Sequence, residues 1–398
     1  MQRIILAFIF IALSLSLAAA RPGTPQKPET RPQTLSPGGA NAAKPGDTAS
    51  LDTLSPELTL KLQILLDRGH FSPGEIDGHM GENTIKAFEA FERANGFSVG
   101  DQISAANWRK LGDLGQNSGD ASHAQSLLAI AAAGNATSGK VSDGREEMGK
   151  ANASQDPVIQ VHIASEDLRG PFVRRIPSSM KAQARLRRMA YRNPDEELGE
   201  RYHSSPEMLR LLNPGLNFRK EGQAIWAPNI HSIKPEGKLA RIVADKRHAT
   251  VTAYGEDGRA LAVYPATIGS AEKPTPDGRT EVERVVRNPW YTYDPRLLHF
   301  KEVKTRTKLR IAPGPHNPVG LVWIELAKKG YGIHGAPDPA KVSKTSSHGC
   351  VRLTNWDALE LADLVERGTA VDFISEGEPE KAGTKAPGSP SEASSSAQ

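Results

Sequence analysis

Three stretches of this chain are too rich in Pro, Gly, Ser and Ala to bury the apolar surface that would offset their ordering entropy, and they limit what the rest can become. They run from Arg21 to about Ser50, from about Gln116 to Asp156, and from Glu376 to Gln398. What remains divides into three candidate folded units, 51–115, 157–230 and 238–375. A length of 398 residues suits two or three domains joined by linkers better than one. The hydrophobic content of 38% is low for a globular chain, but the deficit lies in the linkers, so the folded parts need not lack core residues.

The amino terminus is a separate case. Met1-Gln2-Arg3 is a short positive region, Ile4 to Leu17 is apolar, and Ala18-Ala19-Ala20 offers small residues for cleavage. This predicts a secretory signal over 1–20 and an exported protein, periplasmic or wall-associated, with a retained anchor as the alternative reading. The run is shorter than the ~20 residues of a spanning helix, and no other long apolar stretch follows, so no integral membrane segment is expected after signal removal. The net charge of +4 comes from scattered Lys and Arg, without a basic stripe interleaved with aromatics, so nucleic acid is not an expected partner.

In the first unit, Ser55-Pro56 reads as an N-cap followed by proline at the first helical position. Leu58, Leu62, Leu65 and Leu66 then share one helical face, and Gly69 can end the helix. A turn-rich run from Phe71 to Gly78 precedes a second helix, Thr84 to Asn95, predicted to bury Ile85, Ala87, Phe88 and Phe91. Ser104 caps a third, with Trp108 and Leu111. Leu62-Gln63-Ile64-Leu65-Leu66, Pro73-Gly74, Ile76-Asp77-Gly78, Thr84, Phe91 and Trp108 resemble the three-helix peptidoglycan-binding domain. This chain has Glu92 where that family usually has Gln after the Phe. In the second unit, Glu196 to Leu212 reads as one helix, and Asn213-Pro214-Gly215-Leu216 with Gly222-Gln223-Ala224-Ile225 resembles the back half of a LysM glycan-binding module. Val158 to Met189 matches no pattern.

The third unit carries the chemistry. Period-two alternation in Arg241–Asp245 and Ala249–Tyr254 predicts a hairpin, and Thr354-Asn355-Trp356-Asp357 caps a helix carrying Leu359, Leu361, Leu364 and Val365. The expected fold class is multidomain α+β, a small helical bundle followed by a mainly β sandwich with one clear helix. The single cysteine, Cys350, lies in Ser347-His348-Gly349-Cys350-Val351-Arg352, sixteen residues after His334 in Gly332-Ile333-His334-Gly335. A lone cysteine can be a small buried hydrophobe. A thiol attacks carbonyls as thiolate, and an imidazole within reach can take its proton and return one to a leaving amine. Gly349 permits close backbone approach, its amide and that of Cys350 are candidate oxyanion donors, and Arg352 can face planar oxygen acceptors. Zinc on two His and one Cys is a rival, but no Cys-x-x-Cys or His-x-x-x-His pair supports it, so no metal is expected. A papain-like protease would place its cysteine before its histidine.

His334-Gly335 followed by Ser347-His348-Gly349-Cys350-Val351-Arg352 resembles the YkuD-type L,D-transpeptidase catalytic domain. Thr275-Pro276-x-Gly278, Gly314-Pro315, Asn317-Pro318, Trp323-Ile324, Tyr331 to Gly335 and Asn355 also match, while Ala336 stands where Thr is frequent. The resemblance implies Cys350 as nucleophile and His334 as base and acid, with Ser347, His348, Gly349, Arg352 and Gly335 shaping the site. It also implies peptidoglycan stem peptides and glycan as partners, release of D-alanine through a thioester, a 3→3 cross-link, acylation by carbapenem-type β-lactams, and no cofactor. Hydrolysis of the acyl-enzyme (an L,D-carboxypeptidase), transfer to a protein amine, or a non-catalytic wall-binding scaffold are the alternatives.

Overall fold

The computed structural model describes residues 35–44, 46, 48–114, 156–230, 235–270, 274–296, 305–347 and 349–375. The expected signal at 1–20, almost all of the 116–156 linker and the 376–398 tail lie outside the described residues.

The amino-terminal tether ends earlier than the composition predicts. Helix α1 (Pro37–Ala42) starts at Ser36, whose hydroxyl accepts from the Gly39 amide, and β1 (Thr48–Ser50) follows. Leu35 and Ala40 are buried, and the Asn41 side chain bonds both the amide and the carbonyl of Val158. This Pro/Gly-rich segment is ordered because a partner surface awaits Leu35, Ala40 and Asn41. Helix α2 (Pro56–Arg68) begins at Ser55, whose side chain accepts from Leu58 N, and α3 (Glu82–Ala94), β2 (Gln102–Ser104) and α4 (Ala105–Leu114) complete the unit, with β1 and β2 paired antiparallel. Ile85, expected in the core, is 37% exposed: α3 turns Ala87, Phe88 and Phe91 inward and leaves Ile85 outside that arc. Buried Gln63 holds the 73–78 turn, accepting from the amides of Asp77 and Gly78 and donating to Asp77 Oδ1, His79 O and Thr84 Oγ1.

Helix α2 is apolar on two sides. Leu62, Leu65 and Leu66 join Phe88, Phe91, Trp108 and Leu111 in one core, while Leu60 and Ile64 join Leu35, Ile76, Val158, Met208 and Leu212 in another. The second core belongs jointly to the middle unit: β3 (Val158–His162), α5 (Ser165–Arg169), α6 (Met180–Gln183), α7 (Pro194–Arg201), α8 (Pro206–Leu212) and β4 (Ala224–Pro228). The unassigned Val158 segment supplies β3, which pairs antiparallel with β4. The single helix expected over 196–212 is two. His203 adopts φ +51°, and Ser205 caps α8 ahead of Pro206, so the chain stops and restarts helically.

Among the described residues the third unit is built on one sheet of nine strands. In chain order they are β5 (Leu239–Asp245), β6 (Thr250–Gly255), β7 (Ala260–Pro265), β8 (Thr267–Ile268), β9 (Gly278–Arg287), a separate ribbon of β10 (Tyr291–Tyr293) and β11 (Leu309–Ile311), β12 (Val322–Leu326), β13 (Gly332–His334), β14 (Val351–Arg352), helix α9 (Asn355–Leu364) and β15 (Ala370–Ile374). The sheet order is β7-β6-β5-β15-β9-β12-β13-β14-β8. The sequence predicts a mainly β sandwich with one clear helix. Here β9 serves both halves, pairing with β15 over Gly278–Glu281 and with β12 over Val282–Arg287. Both halves then line a single core with α9, from Ile242 and Tyr264 on one side to Ile324, Ile333 and Val351 on the other.

The three units are fused rather than strung. Ser72 N donates to Val263 O and Val263 N to His70 O, adding Phe71 to the edge of β7. His70 Nδ1 lies 3.2 Å from Glu360 Oε2, and Tyr264 OH donates to Glu360 Oε1. His203 stacks on Trp356 at 5.0 Å and sits 3.0 Å from Asp67 Oδ2, so residues of all three units meet there. Burial alone would lower the His203 pKa, but the charge and hydrogen bond of Asp67 overcome it and raise the value above 6.5. Stabilisation from this pair is therefore complete below the unfolded value near ~6.5 and is lost as pH rises through the higher folded value. We expect Asp67→Asn to cost about 2 kcal/mol at pH 6 and to remove that part of the decline in thermal stability between pH 6 and 9. Equal pH dependence in both proteins would refute the assignment.

Candidate active site

Strands β13 and β14 run parallel as neighbours, with Ile333 opposite Val351 and His334 opposite Arg352. Ile333 and Val351 face the core, so alternation sends His334 and Arg352 to the other face, and Cys350 is the residue immediately before β14. The two short motifs, separated by a long loop in sequence, thus meet at adjacent strand ends.

His334 is buried at 4% exposure and held on three sides. Its ring stacks on Trp323, its cross-strand partner on β12, with centroids 5.5 Å apart. Its backbone carbonyl accepts from Leu353 N. Its Nδ1 is 2.7 Å from the Gly335 carbonyl oxygen. A carbonyl only accepts, so Nδ1 carries the proton and Nε2 keeps its lone pair. Burial first, and then the Arg352 charge, push the imidazole pKa down to about 3, which keeps the ring neutral at neutral pH.

The loop ahead of Cys350 is pinned. Ser347, also buried, donates its amide to Gly269 O and its hydroxyl to Cys350 O at 2.5 Å. Gly349 has φ +100°, and a Cβ there would stand 2.9 Å from the Tyr331 ring, so only glycine fits. The Cys350 sulfur is half-buried and 3.8 Å from Gly330 O. His348 lies outside the described residues.

Arg352 Nη1 donates to Ser346 O. Burial lowers the Arg352 pKa while Cys350 and Tyr291 push it back up, and Arg352 in turn depresses His334, so one cation faces both the thiol and the imidazole. Tyr291, on β10, is near enough to feel the Cys350 charge, and burial followed by that charge holds its phenol protonated. Among the described residues no group of three or more His, Cys, Asp or Glu is arranged to hold a metal.

Cys350, His334, Ser347, Gly349, Gly335 and Arg352 are all brought to this face or its rim. Tyr291 was not singled out in the sequence: it arrives from a ribbon 59 residues upstream of Cys350, and no local spacing connects the two. Trp323 and Tyr331 belonged to the matching pattern without an assigned task, and their contacts with His334 and Gly349 supply one.

Residues 240–373 match the YkuD family, the L,D-transpeptidase catalytic domain. A Bacillus licheniformis protein named as the L,D-transpeptidase YkuD is 32% identical over 180 residues, covering 45% of this chain and 92% of its own. An Escherichia coli protein named as the L,D-transpeptidase YbiS is 30% identical over 199 residues, 49% of this chain and 64% of its own, so this chain spans just under two thirds of that relative. A solved structure of L,D-transpeptidase 3 from Mycobacterium tuberculosis, in complex with a faropenem-derived adduct, aligns over 39% of this chain and 75% of that one at 21% identity, with a TM-score of 0.28.

Proposed function

The chain belongs to the L,D-transpeptidase family, and we propose that it forms 3→3 cross-links between peptidoglycan stem peptides with Cys350 as nucleophile and His334 as base. The observation carrying this is the neutral His334 ring, its Nδ1 proton committed to Gly335 O and its other nitrogen left to accept a proton, on the strand paired with the one that Cys350 directly precedes. The Cys350 thiol gives its proton to Nε2 as sulfur attacks the carbonyl between the L-centre of the diamino acid and the terminal D-alanine. Arg352 stabilises the thiolate as it forms, and the amides of Gly349 and Cys350 receive the oxyanion. The imidazolium then protonates the leaving nitrogen, and D-alanine departs with the C–N bond, leaving a thioester. An amine of a second stem attacks that thioester, its proton returns to sulfur by way of His334, and a new amide is released.

The same thiol is the proposed target of carbapenem-type β-lactams, whose strained amide opens to a thioester by the same first step. The helical unit is proposed as a peptidoglycan-binding module. The middle unit, with β3 and β4 paired and α7 and α8 between them in sequence, is proposed as a LysM-like glycan module in an exported, wall-associated protein. Their attachment would raise local substrate concentration without new catalytic contacts.

Incubation of the chain with disaccharide-tetrapeptide, followed by mass spectrometry, tests the reaction. Dimers that have lost one D-alanine, absent with Cys350→Ala, are expected. Monomeric tripeptide alone would mean that water resolves the acyl-enzyme. Untouched substrate with retained sacculus binding would replace the enzyme by a scaffold.

A further inference from the structure

A carboxyl group from the middle unit reaches the machinery just described. Glu200, on α7, accepts from Asn355 Nδ2 at 2.8 Å. It also takes a hydrogen bond from the Tyr191 hydroxyl, with His316 beside it. Behind it, Glu196 sits 3.1 Å from His316 Nε2 and pairs with Arg192. Asn355, the first residue of α9, gives its second Nδ2 proton to Pro315 O, and its Oδ1 accepts from Leu321 N. That oxygen packs directly on Gly335 and Gly320, leaving no room for a Cβ at either. Gly335 is the residue whose carbonyl holds His334 Nδ1.

An amide side chain can sit in either of two flipped orientations, and its neighbours decide which. Pro315 O and Glu200 both accept, so they demand the NH2 end. Without Glu200 one of those two demands is lost. A flipped Asn355 would then set NH2 against the Leu321 N–H and press a bulkier, hydrogen-bearing group on Gly335. The consequence would travel one residue, to the imidazole.

We propose that Glu200 is a positioning residue for His334: it fixes the Asn355 amide, which seats the Gly335 peptide, which holds the imidazole in its Nδ1–H tautomer. This rests on the reading of His334 as the base. The middle unit would then complete the reaction centre as well as any binding role it has. Burial raises the Glu200 pKa to about 7, with Tyr191, His316, Asn355 and Glu196 facing it, so the carboxyl can serve as acceptor in either protonation state.

The test uses the full chain with 15N-labelled histidine and three variants. Glu200→Gln keeps volume and an acceptor oxygen, Glu200→Asp keeps the charge but shortens the reach, and Glu200→Leu removes the acceptor. The Leu and Asp proteins should lose about tenfold to a hundredfold in kcat with KM unchanged, and their His334 ring nitrogens should shift from the Nδ1–H pattern. Glu200→Gln should restore kcat and the pattern, and this arm stands even if the other two do not fold. An unaltered His334 spectrum and kcat in Leu or Asp, an effect confined to KM, or failure of Gln to rescue would each overturn the proposal. A wild-type protein inactive on stem peptides whose His334 spectrum still responds to Glu200 would sink the transpeptidase reading and leave the positioning intact.

Discussion

Replacing His334 by glutamine is expected to lower transpeptidation about a thousandfold while the chain still folds. Gln can keep a hydrogen bond to Gly335 O and part of the Trp323 stacking, so the loss isolates proton transfer from packing. The pH dependence gives a second readout. His334 is depressed to about 3, well below an ordinary histidine, so the folded protein binds fewer protons there than the unfolded one between those values. Stability from this residue is therefore present above about pH 6.5 and is lost as pH falls towards 3. Wild type should lose more thermal stability than His334→Gln on acidification from pH 7 to 4. Wild-type kcat/KM should show no inflection near 6.5 from this group. Parallel melting curves, or an acid limb at 6.5 that vanishes in the variant, would contradict the geometry.

Gly335→Ala is expected to damage both stability and activity, because its methyl lands on the side chain that seats the loop after His334. Its Cβ would overlap Asn355 Oδ1 and lie 3.3 Å from Asn355 Cα, at the start of α9 where the backbone cannot retreat. Relief requires moving Asn355, which gives up its bond from Leu321 N, or moving the Gly335 carbonyl off His334. About 3 kcal/mol of stability should be lost, with activity falling by more than the unfolded fraction explains. Gly112→Ala, in α4, is the matched control, since nothing lies within 4 Å of its Cβ. It should stabilise by about 1 kcal/mol. Chemical denaturation of the three proteins decides the matter, and a Gly335→Ala protein as stable as wild type would show that the loop is not seated on Asn355.

What the sequence made legible here was whatever is written locally. Ser55-Pro56 and Thr354 announce the starts of α2 and α9 because a cap is a contact across three residues. Cys350 and His334 stand out because each sits in a short motif of glycine and polar residues that ordinary core strands lack. What stayed hidden depends on partners far along the chain. Leu60 and Ile64 look like surplus apolar residues until Met208 and Leu212 arrive to cover them. His203 reads as an unremarkable helical position, yet it breaks the helix at positive φ to reach Asp67 and Trp356. Glu200 reads as a solvated charge, and its actual partners, Asn355 and Tyr191, lie 155 positions downstream and 9 upstream. The segment 35–50 has a linker's composition, and distant partners, among them Val158, Leu60, Ile64 and Gln102–Ser104, make it structure.

Helix α2, apolar on both sides, bears on how such a protein can be inherited. Wall enzymes invite a picture of interchangeable cassettes, each shuffled by recombination at its linkers. A crossover that replaced the helical module alone would import a helix matched to its own bundle but blind to Met208, Leu212 and Val158, and one that replaced the middle segment alone would strand Leu60 and Ile64 in water. Both crossovers would also break the meeting of Asp67, His203 and Trp356. From Leu35 onward a unit can therefore be exchanged without loss of packing only together with the surfaces that face it.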